Sequence, residues 1–147
     1  MKYESIIKEY FSSIFEKYDL DYRDVTENSV AFIGKGYAFV LTIRLGEVYL
    51  DFTTLLENEY KKIDIWNFCA SYFTSEDRKN LPLGKTVEDN IRCTILVLAR
   101  GLENNFRSML KGHIEWIDNY KRYPMAGIIK KADKTIVQLI EDRCRET

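Results

Sequence analysis

NSVAFIGKGYAFVLTIRLGEVYLDFTTLL, residues Asn28 to Leu56, alternates apolar and polar side chains through its middle and is broken by glycine at two points. Tyr37, Phe39, Leu41, Ile43 and Leu45 fall on one side of an extended chain, and Ala38, Val40, Thr42 and Arg44 on the other. A period of two is the mark of a strand with one buried face. The stretch therefore reads as three antiparallel strands joined by two tight turns.

The turns set the register, and register decides which side chains share a face. With Lys35 and Gly36 as the first loop, Phe32 stands opposite Phe39 and Val30 opposite Leu41. With Gly46 and Glu47 as the second, in the glycine-first order of a type II′ turn, Leu45 meets Val48, Ile43 meets Leu50 and Leu41 meets Phe52. Every one of these residues is apolar, whereas a slip of one position would bury Arg44 and Asp51. Phe32, Phe39, Leu41, Ile43, Leu50 and Phe52 are thus expected under helices. On the other face this register puts Arg44 opposite Tyr49 and Thr42 opposite Asp51, with Arg44 one diagonal step from Asp51 and in reach of a salt bridge. Ala31, Ile33, Ala38 and Val40 form a small apolar patch at the far end of that second face.

Outward from the meander the pattern becomes helical. Ile6, Ile7, Tyr10, Phe11, Ile14, Phe15 and Tyr18 make the apolar stripe of a helix over residues 2–18, wide enough to cover the core face. Residues 19–27 are acidic and can hold a short first strand ending near Val25. After Phe52, TTLLENEYKKID reads as a connection with a turn of helix, and a helix starts near Asp64, whose carboxylate can cap it. Ser75–Lys85, framed by Pro82 and Gly84, reads as a long polar loop with the composition of a mobile one. Thr86 with Asp89 three residues on is the clearest helix start in the chain. The helix should run toward Lys111, with Asn104 and Asn105 as interruptions and Gly112 after its end. A short helix or turn follows at His113–Tyr123, and a last amphipathic helix carries Ile128, Ile129, Ala132, Ile136, Leu139 and Ile140 to near Cys144.

The expected fold is a single α+β domain over residues 1–147: an N-terminal helix, an antiparallel meander of three or four strands, then three to four helices packed on the sheet. The length suits one domain. Hydrophobic residues at 46% and charged ones at 31% are a globular balance, and a formal net charge of -1 gives no overall pull toward nucleic acid or anionic membrane. Cys69, Cys93 and Cys144 are widely spaced and odd in number, which suggests neither a disulfide framework nor a zinc site. Charges arrive too early for a signal peptide, and no apolar run approaches the roughly 20 residues that span a bilayer. A cytoplasmic protein with reduced thiols is expected, with no membrane association.

No constellation of residues fixes a chemistry. His113, the single histidine, rules out a two-histidine metal centre within one chain and leaves one neutral-pH base; next to Gly112 it reads as a helix-start residue. The cysteines sit among apolar neighbours, where thiols are usually inert packing. No DxD or HExxH pattern gathers carboxylates on a metal, and the glycines of IGKGYAF join strand to strand instead of cradling a phosphate at a helix start. No catalytic residue, metal or cofactor is assigned. Lys121, Arg122, Lys130, Lys131 and Lys134, with Tyr120 and Tyr123, form a basic segment over 120–134 that can be weighed for single-stranded nucleic acid. Asp133 within it and the acidic overall balance favour a solvated helix face.

The order helix, meander, several helices, together with YLDF (Tyr49–Phe52) closing the sheet and LKGHIEW (Leu110–Trp116) toward the C-terminal side, resembles small bacterial proteins of the immunity type. The resemblance implies a non-enzymatic module that neutralises a toxin encoded beside it by stoichiometric binding. It carries over no binding residue by position. The residues that suit partner contact are those of the mixed sheet face, Thr42, Arg44, Tyr49 and Asp51, because aromatic and arginine anchors concentrate binding energy. The competing expectations are a small-ligand binder or enzyme with a pocket between sheet and helices, using His113, Asp51 or a cysteine, and nucleic-acid binding through the 120–134 segment.

Overall fold

In the computed structural model, which describes residues 1–82 and 84–146, the meander lies at the centre of a larger sheet. The chain runs α1 (Glu4–Tyr18), β1 (Asp21–Asp24), β2 (Ser29–Ile33), β3 (Tyr37–Arg44), β4 (Glu47–Leu56), β5 (Glu59–Asp64), α2 (Trp66–Ala70), α3 (Val87–Asn105), α4 (Arg107–Leu110), α5 (Trp116–Arg122), β6 (Lys130–Lys131) and α6 (Lys134–Arg145). The six strands stand in sequence order and every neighbouring pair is antiparallel. The α+β class and the N-terminal helix are as expected; the sheet has six strands, not three or four.

The first hairpin keeps its expected register, with Phe32 against Phe39 and Val30 against Leu41, and Gly36 takes the left-handed conformation of its turn (φ 86°). The second hairpin does not. Its loop is Leu45–Gly46, both left-handed (φ 52° and 77°), the two-residue pattern of a type I′ turn. Ile43 therefore pairs with Val48, Leu41 with Leu50 and Phe39 with Phe52. The shift is two residues, so each side chain keeps its face. Leu45 is the exception: expected in the core, it sits in the turn and is 90% exposed.

The expected connection over 53–64 is instead the end of β4, a turn at Glu57–Asn58 with both residues left-handed, and β5. The Asp64 carboxylate accepts the Trp66 N–H (3.2 Å), as the cap reading required, but α2 is only five residues long. α3 opens on a full capping box between Thr86 and Asp89 and ends at Phe106, short of Lys111. Asn104 and Asn105 turn out to be clamps. Each donates to the buried carboxylate of Asp77, at 2.6 and 3.2 Å, which also accepts the Thr74 N–H at 2.8 Å. Burial pushes the Asp77 carboxyl up, yet these hydrogen bonds outweigh it and hold the group below its ordinary value. Arg100 adds a hydrogen bond to the Lys79 carbonyl, so the segment expected to be mobile is fastened to α3; Leu83 within it lies outside the described residues.

Gly112 closes α4 with the paired bonds of a Schellman motif, His113 N–H to Ser108 O (3.0 Å) and Gly112 N–H to Met109 O (2.9 Å), at φ 88°. It is also where Tyr37 packs: a Cβ on Gly112 would stand 2.4 Å from the Tyr37 ring, whose hydroxyl donates to the Leu110 carbonyl at 2.5 Å. His113 is exposed in the loop ahead of α5 and does not start a helix. The last helix begins at Lys134, because Lys130–Lys131 pair with β5 and add β6 to the sheet edge.

The two sheet faces differ as the alternation requires. On the first, Ile7, Phe11 and Ile14 of α1, Ile91, Ile95 and Leu98 of α3 and Trp116 of α5 bury Phe32, Phe39, Leu41, Ile43, Leu50 and Phe52. Phe11 meets Phe32 at 5.1 Å between ring centroids, and Phe52 meets Trp116 edge-on at 5.2 Å. On the second face, α6 covers one end, with Ile136 and Ile140 packed on Ala31, Ile33 and Ala38.

Candidate functional site

The other end of the second face is bare. A helix is about 10 Å across and a strand rises about 3.3 Å per residue, so one helix lying across ten-residue β4 shields only part of its length. α6 is also pinned at both of its ends. Arg143, buried near the C-terminal end, donates through Nη1 to the carbonyls of Asp19 (2.6 Å) and Ile33, and pairs through Nη2 with the Asp19 carboxylate (2.9 Å). At its N-terminal end Asp133 meets Lys62 at 3.3 Å.

The uncovered region is a hollow of about 660 Å³ lined by Thr42, Arg44, Tyr49 and Asp51, the four residues expected for partner contact, and by Lys62 and Asp64 of β5. Leu45 at the hairpin tip and Ile128 before β6, 90% and 82% exposed, also line it, as do Glu47 and Lys130. The strands position the floor: Thr42 faces Tyr49, Arg44 faces Glu47, and Asp51 lies between Val40 and Asp64. The expected salt bridge between Arg44 and Asp51 is absent, because the two-residue register shift puts Arg44 opposite Glu47, four residues, or about 13 Å, along the strand from Asp51.

The polar groups of the floor are unevenly satisfied. Thr42 shares a 2.9 Å hydrogen bond with Ser29, and the Tyr49 hydroxyl donates to Glu47. Lys62 is taken up by Asp133. Asp51 has neither a side-chain hydrogen bond nor an ion pair among the described residues. Burial, then the neighbouring charge of Asp64, pushes its carboxyl up to about 6; Lys62 and Lys130 pull the other way and Asp133 adds to the rise. The sequence did not bring Leu45, Lys62, Asp64, Ile128 and Lys130 to this face, although Asp64 stood out as a helix cap and Lys130 as part of the basic segment. Lys62 and Asp64 sit two apart and would have joined the face had 59–64 been read as a strand, whereas Ile128 and Lys130 arrive by tertiary folding alone.

The other candidate groups are not brought together. Cys69 is buried on the opposite side of the sheet, where burial pushes its thiol far up, and Cys93 is half-buried near the Pro82 carbonyl. Cys144, expected among apolar neighbours, is exposed on α6. His113 is exposed on the surface, whereas Cys69 is buried in the core. The layer between sheet and helices, where a ligand pocket was expected, holds the stacked and edge-on rings of Tyr37, Phe39, Phe52 and Trp116. In the basic segment, Tyr120 is buried, and Tyr123 is half-buried, edge-on to Phe68 at 5.8 Å between ring centroids, with its hydroxyl donating to the Asn67 carbonyl. Among the described residues no group of three or more His, Cys, Asp or Glu could hold a metal, and no helix is long and apolar enough to cross a membrane.

The structure defines an α+β protein with one end of a sheet face left open beside a helix. Comparison with protein-family models, curated proteins and solved structures finds no match to the chain.

Proposed function

We propose that this protein is a non-enzymatic binding module that docks a protein partner on the open end of its second sheet face. In the form the immunity-type resemblance implies, the partner is a toxin whose working surface is covered stoichiometrically. The observation that carries the reading is the bare floor itself. Leu45 and Ile128 expose most of their apolar surface along it, and Asp51, half-buried and without an ion pair among the described residues, lines the same hollow. Exposed apolar side chains around polar groups are the composition of an interface, with Tyr49 and Arg44 as the residue types that most often anchor one.

The test is co-expression with the product of the neighbouring gene. A stoichiometric complex on size exclusion, protection of the host cell, and loss of both in an Arg44→Glu, Tyr49→Ala double variant are the expected outcomes. No complex and no protection would end the immunity reading. A complex untouched by the double variant would move the contact elsewhere.

A further inference from the structure

We infer that the partner seats a basic side chain, arginine by preference, on the facing carboxylates of Asp51 and Asp64, with Leu45, Tyr49 and Ile128 gripping the apolar chain around it. The inference rests on the binding reading above and supplies the chemistry of what is bound.

Three observations lead there. First, Asp51 and Asp64 are register partners on adjacent strands, so they share a face with Cβ atoms about 5 Å apart. One planar guanidinium, with donors on two edges, spans such a pair, meeting Asp64 at the oxygen not taken by the Trp66 N–H; a lysine ammonium would reach it as a point charge. Second, among the described residues no cation forms an ion pair with either carboxylate, although Lys62 and Lys130 draw Asp51 down from a distance and Arg44 also lines the hollow. Eleven ion pairs form elsewhere among the described residues, and the cation diagonal to Asp51, Lys62, is spent on Asp133. A half-buried carboxylate beside a like charge is unfavourable in the free protein, and an incoming cation relieves it. Third, the flanks are apolar and open. Leu45, Ile128 and the Tyr49 ring border the hollow, and arginine is the charged side chain whose weakly hydrated head and long stem suit such a setting.

The groups facing Asp51 also fix a pH signature. They are Asp64 and Lys62 on β5, Lys130 on β6 and Asp133 ahead of α6, with Val40 on the β3 side. Because Asp51 is held up to about 6, part of its population is protonated in mildly acid solution and must release that proton to accept a cation. Binding then tightens as pH rises from about 5 to about 7 and levels off above.

The experiment is a titration of the isotopically labelled full chain, followed by amide NMR shifts, with three blocked tripeptides: leucine-arginine-leucine, leucine-citrulline-leucine and leucine-glutamate-leucine. The arginine peptide should move the amides of Thr42, Tyr49, Asp51 and Asp64, with affinity about tenfold above its uncharged citrulline counterpart. Asp51→Asn should erase that preference and its pH dependence. Equal binding of the arginine and citrulline peptides at these amides would overturn the inference and leave the docking surface intact. A preference for the glutamate peptide would show that Arg44 and Lys130 dominate the hollow, and would overturn it too. So would shifts from no peptide, or shifts that magnesium or calcium chloride reproduces. The co-expression complex separates the two claims: a complex that forms as well with Asp51→Asn as with the native chain keeps the binding reading and removes the basic anchor.

Discussion

The two ends of the second sheet face are built from the same strands and meet opposite fates. At the α6 end, Ala31, Ile33 and Ala38 are small or aliphatic, and Ile136 and Ile140 close over them. At the hairpin end the same alternation places Thr42, Arg44, Tyr49 and Asp51, which give a helix nothing apolar to bury. The contrast shows that cover follows composition along a strand, not strand by strand. β4 alone passes from exposed Tyr49 through half-buried Asp51 to fully buried Thr53 within five residues. One end contributes to stability and the other leaves a carboxylate uncompensated, so substitutions at the two ends should move stability in opposite directions.

The largest effect is expected at the covered end. Ile140 is fully buried, and Ile140→Ala removes three carbons from the contact between α6 and the sheet, at a cost of about 3 kcal/mol read by urea denaturation. Arg143→Ala should cost somewhat less, about 2 kcal/mol. It strips charge-assisted bonds from the carbonyls of Asp19 and Ile33, but the Asp19 carboxylate it pairs with is mostly exposed and regains water. If either variant is as stable as the native chain, α6 is not the cover that separates the two ends.

The open end should respond in the reverse sense. A carboxyl whose folded value is raised binds more protons folded than unfolded between about pH 4 and pH 6. Asp51 therefore lowers stability progressively as pH rises through that window, and its full penalty is present at pH 7. Its shift from 3.8 to about 6, discounted for partial solvent access, corresponds to about 1–2 kcal/mol. Asp51→Asn should recover that amount at pH 7 and nothing near pH 4, in paired denaturation curves. A substitution that stabilises the fold and abolishes partner binding is the behaviour of a residue kept for contact. Equal loss of stability at both pH values would place Asp51 with the scaffold.

Much of this contrast was legible in the sequence, for a physical reason. Side-chain alternation survives any even register error, so reading the second turn as Gly46–Glu47 instead of Leu45–Gly46 still put Thr42, Arg44, Tyr49 and Asp51 on one face. The error showed where contact depends on position along the strand, in the Arg44–Asp51 salt bridge that does not form. β5 was hidden because its turn, Glu57–Asn58, reaches left-handed geometry without glycine, and because EYKKID offers only Tyr60 and Ile63 as apolar residues, three apart and so out of step with strand alternation. The wall made by Ile128 and Lys130 had no local signal at all. Those residues continue a helical spacing into Ala132 and Ile136, and only the β6 pairing with Lys61 and Lys62 pulls them out straight.

The smallest expected effect is at Leu45, and it tests the comparison most directly. Leucine is poorly suited to its place: a left-handed residue with a Cβ costs about 1 kcal/mol, and asparagine tolerates that geometry far better. At 90% exposure the side chain returns almost no burial energy in the free protein. Leu45→Asn should therefore stabilise the chain by about 0.5–1 kcal/mol in thermal or urea denaturation, with the hairpin register unchanged in amide NMR spectra. Were Leu45 a scaffold residue, that gain would carry no other consequence. As a rim of the docking surface it should weaken the co-expressed complex, so a Leu45→Asn protein that is more stable and binds its partner undiminished would sever the link between the bare end of the sheet and binding.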